Sequence, residues 1–401
     1  MPAAVIVDAV RTAGGKRNGK LSGWHPADLA AETLRALVER NDLDPARVDD
    51  VIMGCVMQIG AQGVNVARNA VLAAGFPESV PATTIDRQCG SSQQSVHFAA
   101  QGVMAGAYDI VIAAGVEVMS LVPMGATMFA PNTGIPFGPK MMARYEPAGG
   151  LVPQGISAEM IAERWGLSRA DLDTYGARSQ QRAQAATEEG RFEREIVPVA
   201  VKVRDRESGQ VLEPDAMLGR DEGLRPGTTV ETLANLKTAF RPEADGGKVT
   251  AGNSSQITDG ASAALIMSEE TASALGYTPR ARFHSFALAG VDPVLMLTGP
   301  IPATTRVLER GKLTLDDIDL IEINEAFASV VLAWEKEHHP DMSRVNVNGG
   351  AIALGHPLGA SGTKLLATLL NELERRGGRY GLQTMCEGGG LANAMIVERL
   401  G

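Results

Sequence analysis

The feature that most constrains the fold is an alternation, at both ends of the chain, of apolar runs with amphipathic patterns. The runs have the length of buried strands, and the patterns between them repeat with the period of a helix. Such an order is typical of α/β proteins, in which helices cover largely parallel sheets. With 401 residues, 44% of them hydrophobic, the chain can bury more than one such unit.

The first half of the chain shows this order in detail. A short apolar run over residues 1–8 predicts a first strand, and a helix beginning at Pro26 presents one apolar face. Further along, Ala82 to Ile85 reads as a strand. It leads through a turn at Cys89 into a second amphipathic helix that ends at Gly106.

The same order recurs near the C-terminus. A strand from Val345 to Val347, a glycine-rich turn through His356, a leucine-rich helix and a stop at Gly377 follow one another. This weak internal repeat indicates two halves of one design, separated by Pro/Gly-rich loops and polar connections that predict an inserted subdomain. The predicted divisions are an N-terminal half over 1–120, an inserted loop domain over 121–250, a return to the first half over 251–274 and a C-terminal half over 275–401.

Charge and composition exclude several classes of function. The formal net charge is −10 and only 4% of the residues are aromatic, so the chain lacks the basic, base-stacking surface that binds nucleic acid. No run reaches the roughly 18 apolar residues of a membrane span, and the N-terminal run has no basic flank of a signal peptide. We therefore expect a cytoplasmic protein without a membrane span.

The three cysteines, Cys55, Cys89 and Cys386, are too few and too scattered for a disulfide framework or a paired-cysteine zinc site. Cys55 lies in an apolar run and reads as a buried core residue. Cys89 stands at the start of a helix, where free N–H groups and the helix dipole favour a thiolate. It is a candidate nucleophile, although a buried structural cysteine fits the same position. His338 and His339 adjoin a charged, exposed stretch, and we predict no metal site.

Three other segments also place polar or reactive residues at the mouth of a glycine-rich turn. They are Asn324 to Phe327, Gly349 to Pro357 and Cys386 to Gly390, and the first and last of them directly follow predicted strands. In open α/β sheets, ligands bind beyond the carboxyl ends of the strands. These three turns and the turn at Cys89 are therefore expected to converge on one side of the sheets.

Together these segments resemble the thiolase family. Gln-Cys-Gly-Ser-Ser around Cys89, the Asn-Glu-Ala-Phe, Gly-His-Pro and Cys-x-Gly-x-Gly boxes and the run from Ala251 to Ser255 occur in the order of that family. The resemblance covers essentially the whole chain. It implies an α/β thiolase fold, five-layered αβαβα, made of two similar βαβαβαββ halves with an inserted loop domain. It also implies a homodimer or homotetramer.

The resemblance further implies a role for each residue of the site. Cys89 is the nucleophile that becomes acylated, His356 activates it, and Cys386 acts as acid and base. Asn324 holds a water that forms one oxyanion hole with His356, and the N–H groups of Cys89 and Gly388 form the other. These parts suit a reaction that expels an enolate and must then protonate its carbon.

Coenzyme A enters as a co-substrate rather than as a tightly bound cofactor. Ser255 and Arg225 match family positions that contact its pantetheine arm and its nucleotide end. One arginine near a 3′-phosphate suits a ligand with local negative charge despite the acidic total. An ordinary surface side chain is the alternative interpretation for Arg225.

The expected activity is that of a degradative thiolase, an acyltransferase that cleaves 3-ketoacyl-CoA with CoA into acetyl-CoA and a shortened acyl-CoA. Where short-chain relatives typically have His-Met-Gly, this chain has Pro153 to Gly155, which indicates a different acyl pocket. The motifs resemble actinobacterial degradative thiolases, some of which take steroid-derived thioesters. Alternatives are a biosynthetic acetyl-CoA acetyltransferase, a condensing enzyme for acyl-carrier protein, and a non-catalytic acyl-CoA or sterol carrier.

Glu387 is a departure from short-chain relatives, in which apolar residues are common after the second cysteine. A carboxylate that faced the site would raise the pKa of Cys386 by charge repulsion. The sequence leaves the direction of this side chain open.

Overall fold

The computed structural model describes residues 2–401, and its regular elements are numbered here in chain order. The helices are α1 (Pro26–Arg40), α2 (Val66–Ala73), α3 (Ser91–Met104), α4 (Pro139–Tyr145), α5 (Gln154–Arg164), α6 (Arg169–Glu188), α7 (Val230–Ala234), α8 (Glu269–Ala274), α9 (Pro300–Gly311), α10 (Ala328–His338), α11 (Ala351–Leu354) and α12 (Ser361–Arg376). The strands are β1 (Ala4–Thr12), β2 (Gly15–Lys16), β3 (Asp50–Gly54), β4 (Ala82–Ile85), β5 (Ile110–Val118), β6 (Ile196–Val197), β7 (Val199–Ala200), β8 (Val203–Arg204), β9 (Val211–Leu212), β10 (Met217–Leu218), β11 (Thr258–Ser268), β12 (Ala281–Gly290), β13 (Leu320–Ile323), β14 (Tyr380–Glu387) and β15 (Leu391–Arg399).

One large mixed sheet runs through the molecule in the order β13-β14-β15-β12-β1-β11-β5-β3-β4. Along this path β3 pairs in parallel with β4 and β5, and β13 with β14, whereas the other neighbours are antiparallel. The expectation of a largely parallel sheet is therefore wrong. The reason is that β14 and β15 form a hairpin and that β11 returns between β1 and β5, and such antiparallel neighbours need no crossover helix.

The strand expected from Val345 to Val347 is also absent from the described chain, since these residues make only isolated bridges. Asn346 has a φ of +46°, a left-handed conformation that interrupts an extended strand. Its side chain continues the pairing instead, because Oδ1 accepts from the N–H of Ile323 and Nδ2 donates to the carbonyl of Ile323, both at 2.9 Å.

Helices cover the sheet in three layers. Helices α1 and α2 pack on the outer face of the half that contains β1, β3, β5 and β11. Helices α3 and α12 lie in the centre and pack against each other. Helix α3 contacts strands of the first half, whereas α12 contacts strands of both halves. Helix α9 covers β12, β14 and β15 from outside, with α10 beside it. In the described chain, the two halves of the sheet are joined only by the two-residue pairing of β1 with β12, so they count as two β layers with α3 and α12 between them, as the expected αβαβα order requires.

The first helix shows how apolar spacing drives this packing. Helix α1 begins at Pro26, as the sequence predicts, and the side chain of His25 caps it by accepting from the N–H of Ala27. Leu34 and Leu37 on its apolar face are fully buried. Each such leucine contributes about 1.5 to 3 kcal/mol relative to an exposed one.

The two central helices meet at their N-terminal ends. A Cβ atom on Gly362, in the first turn of α12, would lie 2.0 Å from the backbone nitrogen of Gln93 in α3. The N–H of Thr363 donates to Ser92 Oγ at 3.1 Å beside this contact. The turns that precede the two helices are therefore brought close together.

Residues 121–250 contain α4 to α7 and the short strands β6 to β10. Helices α5 and α6 of this segment pack against α10, and α6 also packs against α11. The division of the chain at 121, 251 and 275 stays a prediction. Among residues 2–401, no helix combines the length and the apolar character that a bilayer crossing requires.

The close contact of the central helices predicts that Gly362→Ala destabilises the protein. The added methyl group has backbone atoms in its way, and overpacking of this kind costs about 1 to 3 kcal/mol. Urea unfolding should show a lower free energy of unfolding. Gly138→Ala is the matched control, because Gly138 has an ordinary φ of −72° and a Cβ there meets no atom of the described chain within 4 Å. Equal stability of the two variants would contradict this account of the contact.

Candidate active site

Cys89 lies in a tight turn between β4 and α3. Gln88, immediately before it, has a φ of +48°, which is uncommon for a residue with a side chain. Ser91 secures the turn, since its Oγ donates to the carbonyl of Gln88 at 2.6 Å and accepts from the N–H of Arg87 at 2.9 Å. The turn thereby fixes the position of the sulfur at the start of the helix.

The surroundings of Cys89 keep its sulfur protonated at rest. The residue is only 5% exposed, and burial, followed by the charge of Glu387, raises the pKa of its thiol to about 12. Hydrogen bonds from the N–H groups of Gly388 and of Cys89 itself lower the pKa, but by less. The N–H group of Cys89 at the helix start thus acts in the expected direction, but burial and the charge of Glu387 outweigh it.

His356 is held in one tautomer by its neighbours. Its Nδ1 lies 2.5 Å from Ser361 Oγ, and the Ser361 hydroxyl donates its single hydrogen to the carbonyl of Pro357 at 2.8 Å. Nδ1 must therefore carry the proton that Ser361 accepts. Nε2 is then unprotonated, and it accepts from Asn324 Nδ2 at 3.4 Å. The ring presents a lone pair to the site.

Burial also keeps this imidazole uncharged. Desolvation, with the charge of Lys364 as a smaller cause, lowers the pKa of His356 to about 3. Lys364 Nζ donates to the carbonyls of Leu354 and Gly355, at 2.7 and 2.8 Å, and so holds the backbone that leads into His356. His356 is a neutral base in a fixed orientation.

Asn324 links this imidazole to the second cysteine. Its backbone N–H donates to the carbonyl of Thr384 on β14 at 3.1 Å, and its side chain acts on Cys386 in the direction that lowers the pKa of that thiol. Burial, followed by the charge of Cys89, raises the pKa of the Cys386 thiol well above its ordinary value. A direct influence of one sulfur on the other requires that they be near neighbours in the fold.

Two buried carboxylates tie the surrounding loops together. Glu117, at the end of β5, accepts from the N–H groups of Val56, Met57 and Gly359 and from Gln62 Nε2, at 2.6 to 3.1 Å. Glu325, next to Asn324, accepts from Tyr175, Ser179, Asn346 and the N–H of Ile352, at 2.6 to 3.2 Å. The loops that carry Asn324 and His356 are therefore fixed by ordinary polar contacts.

Sequence reasoning missed two of these supporting residues. Ser361 follows His356 by five residues at the start of a helix, a place where a hydroxyl often bonds backwards to the preceding turn. Glu117 is an acidic residue within an otherwise apolar strand, and a buried charge of that kind requires partners. Those signals were present in the sequence.

The two residues expected to contact coenzyme A lie at different depths. Ser255 is half-buried, and its N–H donates to the carbonyl of Ala326 at 2.9 Å, so it sits between the asparagine and histidine turns. Arg225 is exposed, and its backbone N–H donates to Gln180 Oε1 at 2.9 Å. Gln154, in the segment that departs from short-chain relatives, places Nε2 3.3 Å from where a Cβ of Gly388 would lie.

The structure thus brings Cys89, His356, Asn324, Cys386 and Gly388 into one buried cluster, with Ser255 beside it and Arg225 outside it. Two thiols, one neutral imidazole and directed N–H groups can form a thioester with an acyl group and exchange protons with its neighbours. Within residues 2–401, no three His, Cys, Asp or Glu side chains are grouped as a metal ion requires.

Comparisons with known proteins agree with this chemistry. The family model for the thiolase N-terminal domain matches residues 4–270, and that for the thiolase C-terminal domain matches 277–399. A steroid 3-ketoacyl-CoA thiolase of Mycobacterium tuberculosis is 50% identical over 100% of this chain and 95% of its own length. A 3-ketoacyl-CoA thiolase of Photobacterium profundum is 45% identical over 99% of both chains. The crystal structure of the Bacillus anthracis acetyl-CoA acetyltransferase has a TM-score of 0.88 at 38% identity, over 100% and 99% of the two chains.

The tautomer of His356 predicts that Ser361→Ala slows alkylation of Cys89 by iodoacetamide. Without an acceptor for Nδ1–H the ring loses its fixed orientation, and the loss of about 1.4 kcal/mol corresponds to about a tenfold slower reaction. Mass spectrometry of the Cys89 peptide measures the rate. Ser95→Ala is the control, since this buried hydroxyl bonds only to the carbonyl of Ser91 in its own helix. A rate equal to that of the control would mean that Ser361 does not orient the base.

Proposed function

The chain belongs to the thiolase family, and we propose that it cleaves 3-ketoacyl-CoA with CoA into acetyl-CoA and a shortened acyl-CoA. The enzyme is an acyltransferase. The observation that carries the proposal is the buried cluster of Cys89, Cys386, His356 and Asn324, which supplies a nucleophile, a second acid and base, and donors for an oxyanion. Thiolases use CoA as a substrate, and it enters here as the co-substrate.

The first half of the proposed reaction forms an acyl-enzyme. The Cys89 thiol gives its proton to His356 Nε2 while the sulfur attacks the 3-keto carbon. Proton transfer and attack are coupled because either charge alone is disfavoured in the buried site. The C2–C3 bond then breaks, its electron pair remains on acetyl-CoA as an enolate, and the Cys386 thiol protonates that carbon. Cys89 is left as an acyl thioester and Cys386 as a thiolate.

The second half transfers the acyl group to CoA. The Cys386 thiolate removes the proton of the CoA thiol, whose acidity is close to that of a cysteine. The CoA sulfur attacks the acyl carbon, and the bond to Cys89 breaks to release the shortened acyl-CoA. The proton on His356 returns to the Cys89 sulfur. The N–H groups of Cys89 and Gly388 would stabilise the oxyanion on the acyl carbon in this half-reaction.

The surroundings of Cys89 support an apolar acyl group. The sulfur belongs to a buried cluster with Met57, Met119, Val122 and Leu358, among others. Gln154, where short-chain relatives differ, lies beside this region. We propose 3-ketoacyl-CoAs longer than acetoacetyl-CoA as the preferred substrates, bulky steroid-derived ones among them. Ser255 would contact the pantetheine arm and Arg225 the nucleotide end, and the family resemblance predicts an assembly of two or four chains.

The biosynthetic direction, in which two acetyl-CoA condense, is the second candidate. The match to an acetyl-CoA acetyltransferase of Bacillus anthracis favours it, because a protein of that name shares the fold. The kinetic preference between acetoacetyl-CoA and longer 3-ketoacyl-CoAs separates the two. A higher kcat/KM for the longer substrates supports degradation, and activity with acetoacetyl-CoA alone supports biosynthesis.

The roles of the two cysteines predict different defects for their variants. Cys89→Ala should lose thiolysis by about a thousandfold or more, because no acyl-enzyme forms. Cys386→Ala should lose turnover to a similar extent and yet still become acetylated at Cys89 when mixed with acetyl-CoA. Intact-protein mass spectrometry detects this adduct.

Cys55→Ala is the matched control for both variants. This third cysteine is buried, and its sulfur lies 3.9 Å from Glu117 Oε1, outside the reacting groups. We expect it to retain thiolysis. Full activity of Cys89→Ala would refute the assignment of the nucleophile.

Asn324→Ala tests the oxyanion hole separately from the cysteines. Removal of one such donor costs about a hundredfold to a thousandfold in kcat, because the developing negative charge loses a fixed hydrogen bond. Substrate binding in the ground state should change little, so KM stays within a few-fold. Steady-state kinetics measures both constants, and a defect confined to KM would place Asn324 outside the oxyanion hole.

A further inference from the structure

Glu387 points towards the nucleophile from the opposite half of the molecule. It is the last residue of β14 and follows Cys386, so the two side chains leave the strand on opposite faces. A Cβ atom on Gly90 would lie 1.9 Å from Glu387 Oε1. The carboxyl group is therefore pressed against the residue that directly follows Cys89.

This carboxyl group is buried without the contacts that a carboxylate requires. Glu387 has 0% exposure, and neither of its oxygens has a hydrogen-bond partner among residues 2–401. Asn393, on β15, donates from Nδ2 to the carbonyl of Gly90 at 2.9 Å. Its Oδ1 is buried and, within the described chain, accepts no hydrogen bond. An uncharged acid, which has a hydrogen to donate, suits this place better than an anion.

Few charges act on the group from the elements packed around it. Burial raises the pKa of Glu387 well above its ordinary value, Arg87 acts in the opposite direction, and Asp86 adds to the rise. The same arginine acts on His97 of α3, which is buried and uncharged, since burial and Arg87 lower its pKa to about 3. Cys89 and Cys386 both feel the charge of Glu387. Among the residues that act on Glu387 most strongly, Arg87 is therefore the one positive charge that favours its ionised form.

We propose that Glu387 is a positioning residue that controls the charge state of Cys89. As an uncharged acid it packs beneath the turn of the nucleophile and leaves the thiol able to ionise. As a carboxylate it opposes the thiolate across Gly90, because two negative charges then share one buried site. The proposal rests on the proposed role of Cys89, and it predicts that the reactivity of the nucleophile rises less steeply at alkaline pH than that of an isolated thiol.

The sign of the effect follows from the order of ionisation. At acidic pH Glu387 is neutral, so Glu387→Gln changes no charge and the Cys89 thiol reacts as in the parent enzyme. As the pH rises, the carboxylate forms in the parent enzyme alone and raises the pKa of Cys89 there. The two proteins must therefore coincide at low pH and separate at high pH.

The test is the rate of Cys89 alkylation by iodoacetamide between about pH 6 and about pH 10, followed by mass spectrometry of the Cys89 peptide. The full-length Glu387→Gln variant should match the parent enzyme at the acidic end. At the alkaline end it should react about tenfold faster, which corresponds to one unit of pKa. This readout needs no CoA substrate, so it remains informative if the proposed thiolysis fails.

Glu398→Gln is the matched control. Glu398 lies on the neighbouring β15 and pairs with Arg282 and Arg379, so the substitution removes a carboxylate from the same sheet without touching the turn. It should follow the parent profile. Superimposable profiles for Glu387→Gln and the parent enzyme would overturn the proposal. A constant offset that persists at the acidic end would overturn it too, since Glu387 would then be charged throughout.

The parent enzyme alone supplies a second test, should the variant fail to fold. An isolated thiol below its pKa reacts about ten times faster for each pH unit. If Glu387 ionises within the same range, the slope must fall below that value as the pH rises. A slope that stays at one decade per unit over the whole range would show that no carboxylate forms beside Cys89.

Discussion

The whole site depends on how closely the two central helices approach at their first turns. Gly362 of α12 lies against the backbone of Gln93 in α3, a contact that any side chain at position 362 would prevent. The Cys89 turn leads into α3 and the His356 turn leads into α12, so this contact helps to hold the two turns close together. Similar close approaches at Gly359, whose missing Cβ would lie 2.7 Å from backbone atoms of β3 and β5 and of Cys55, hold the histidine loop against the first half. Backbone proximity, rather than long side chains, unites the two halves.

Such close packing also explains the charge state of the reactive groups. Because the cluster is buried, desolvation is the largest influence on its ionisable side chains: it raises the pKa of Cys89 and Cys386 and lowers that of His356. Each group is therefore neutral when the enzyme is at rest. A proton that leaves one sulfur is best received by a neighbour in the same step, and Ser361 and Asn324 keep the imidazole lone pair in place for that transfer.

The sequence was informative where a signal is local. The helix from Pro26, the strand from Ala82 to Ile85 and the turn at Cys89 depend on residues next to one another, and the structure has them where they were expected. Cys386 was expected in a turn, but it lies within β14, which continues to Glu387. Pairing partners are a non-local property, so the antiparallel return of β11 between β1 and β5 left no mark in its composition. Asn346 illustrates a second limit, because a side chain there replaces the backbone ladder of an expected strand. The direction of Glu387 depended on which face of β14 meets α3, which only the fold decides.

The buried acidic residues around the site separate into two kinds by their hydrogen bonds. Glu117 and Glu325 each accept several hydrogen bonds from fixed N–H and O–H donors, and they anchor the loops around the site. Glu387 has equal burial and no such donors in the described chain. Donors of that kind favour the ionised form of a carboxyl group, whereas a buried carboxyl group without them stays protonated until the pH forces it to ionise. The same residue type therefore provides rigidity at two positions and a response to pH at the third, and the difference lies entirely in which N–H and O–H groups the fold directs towards it.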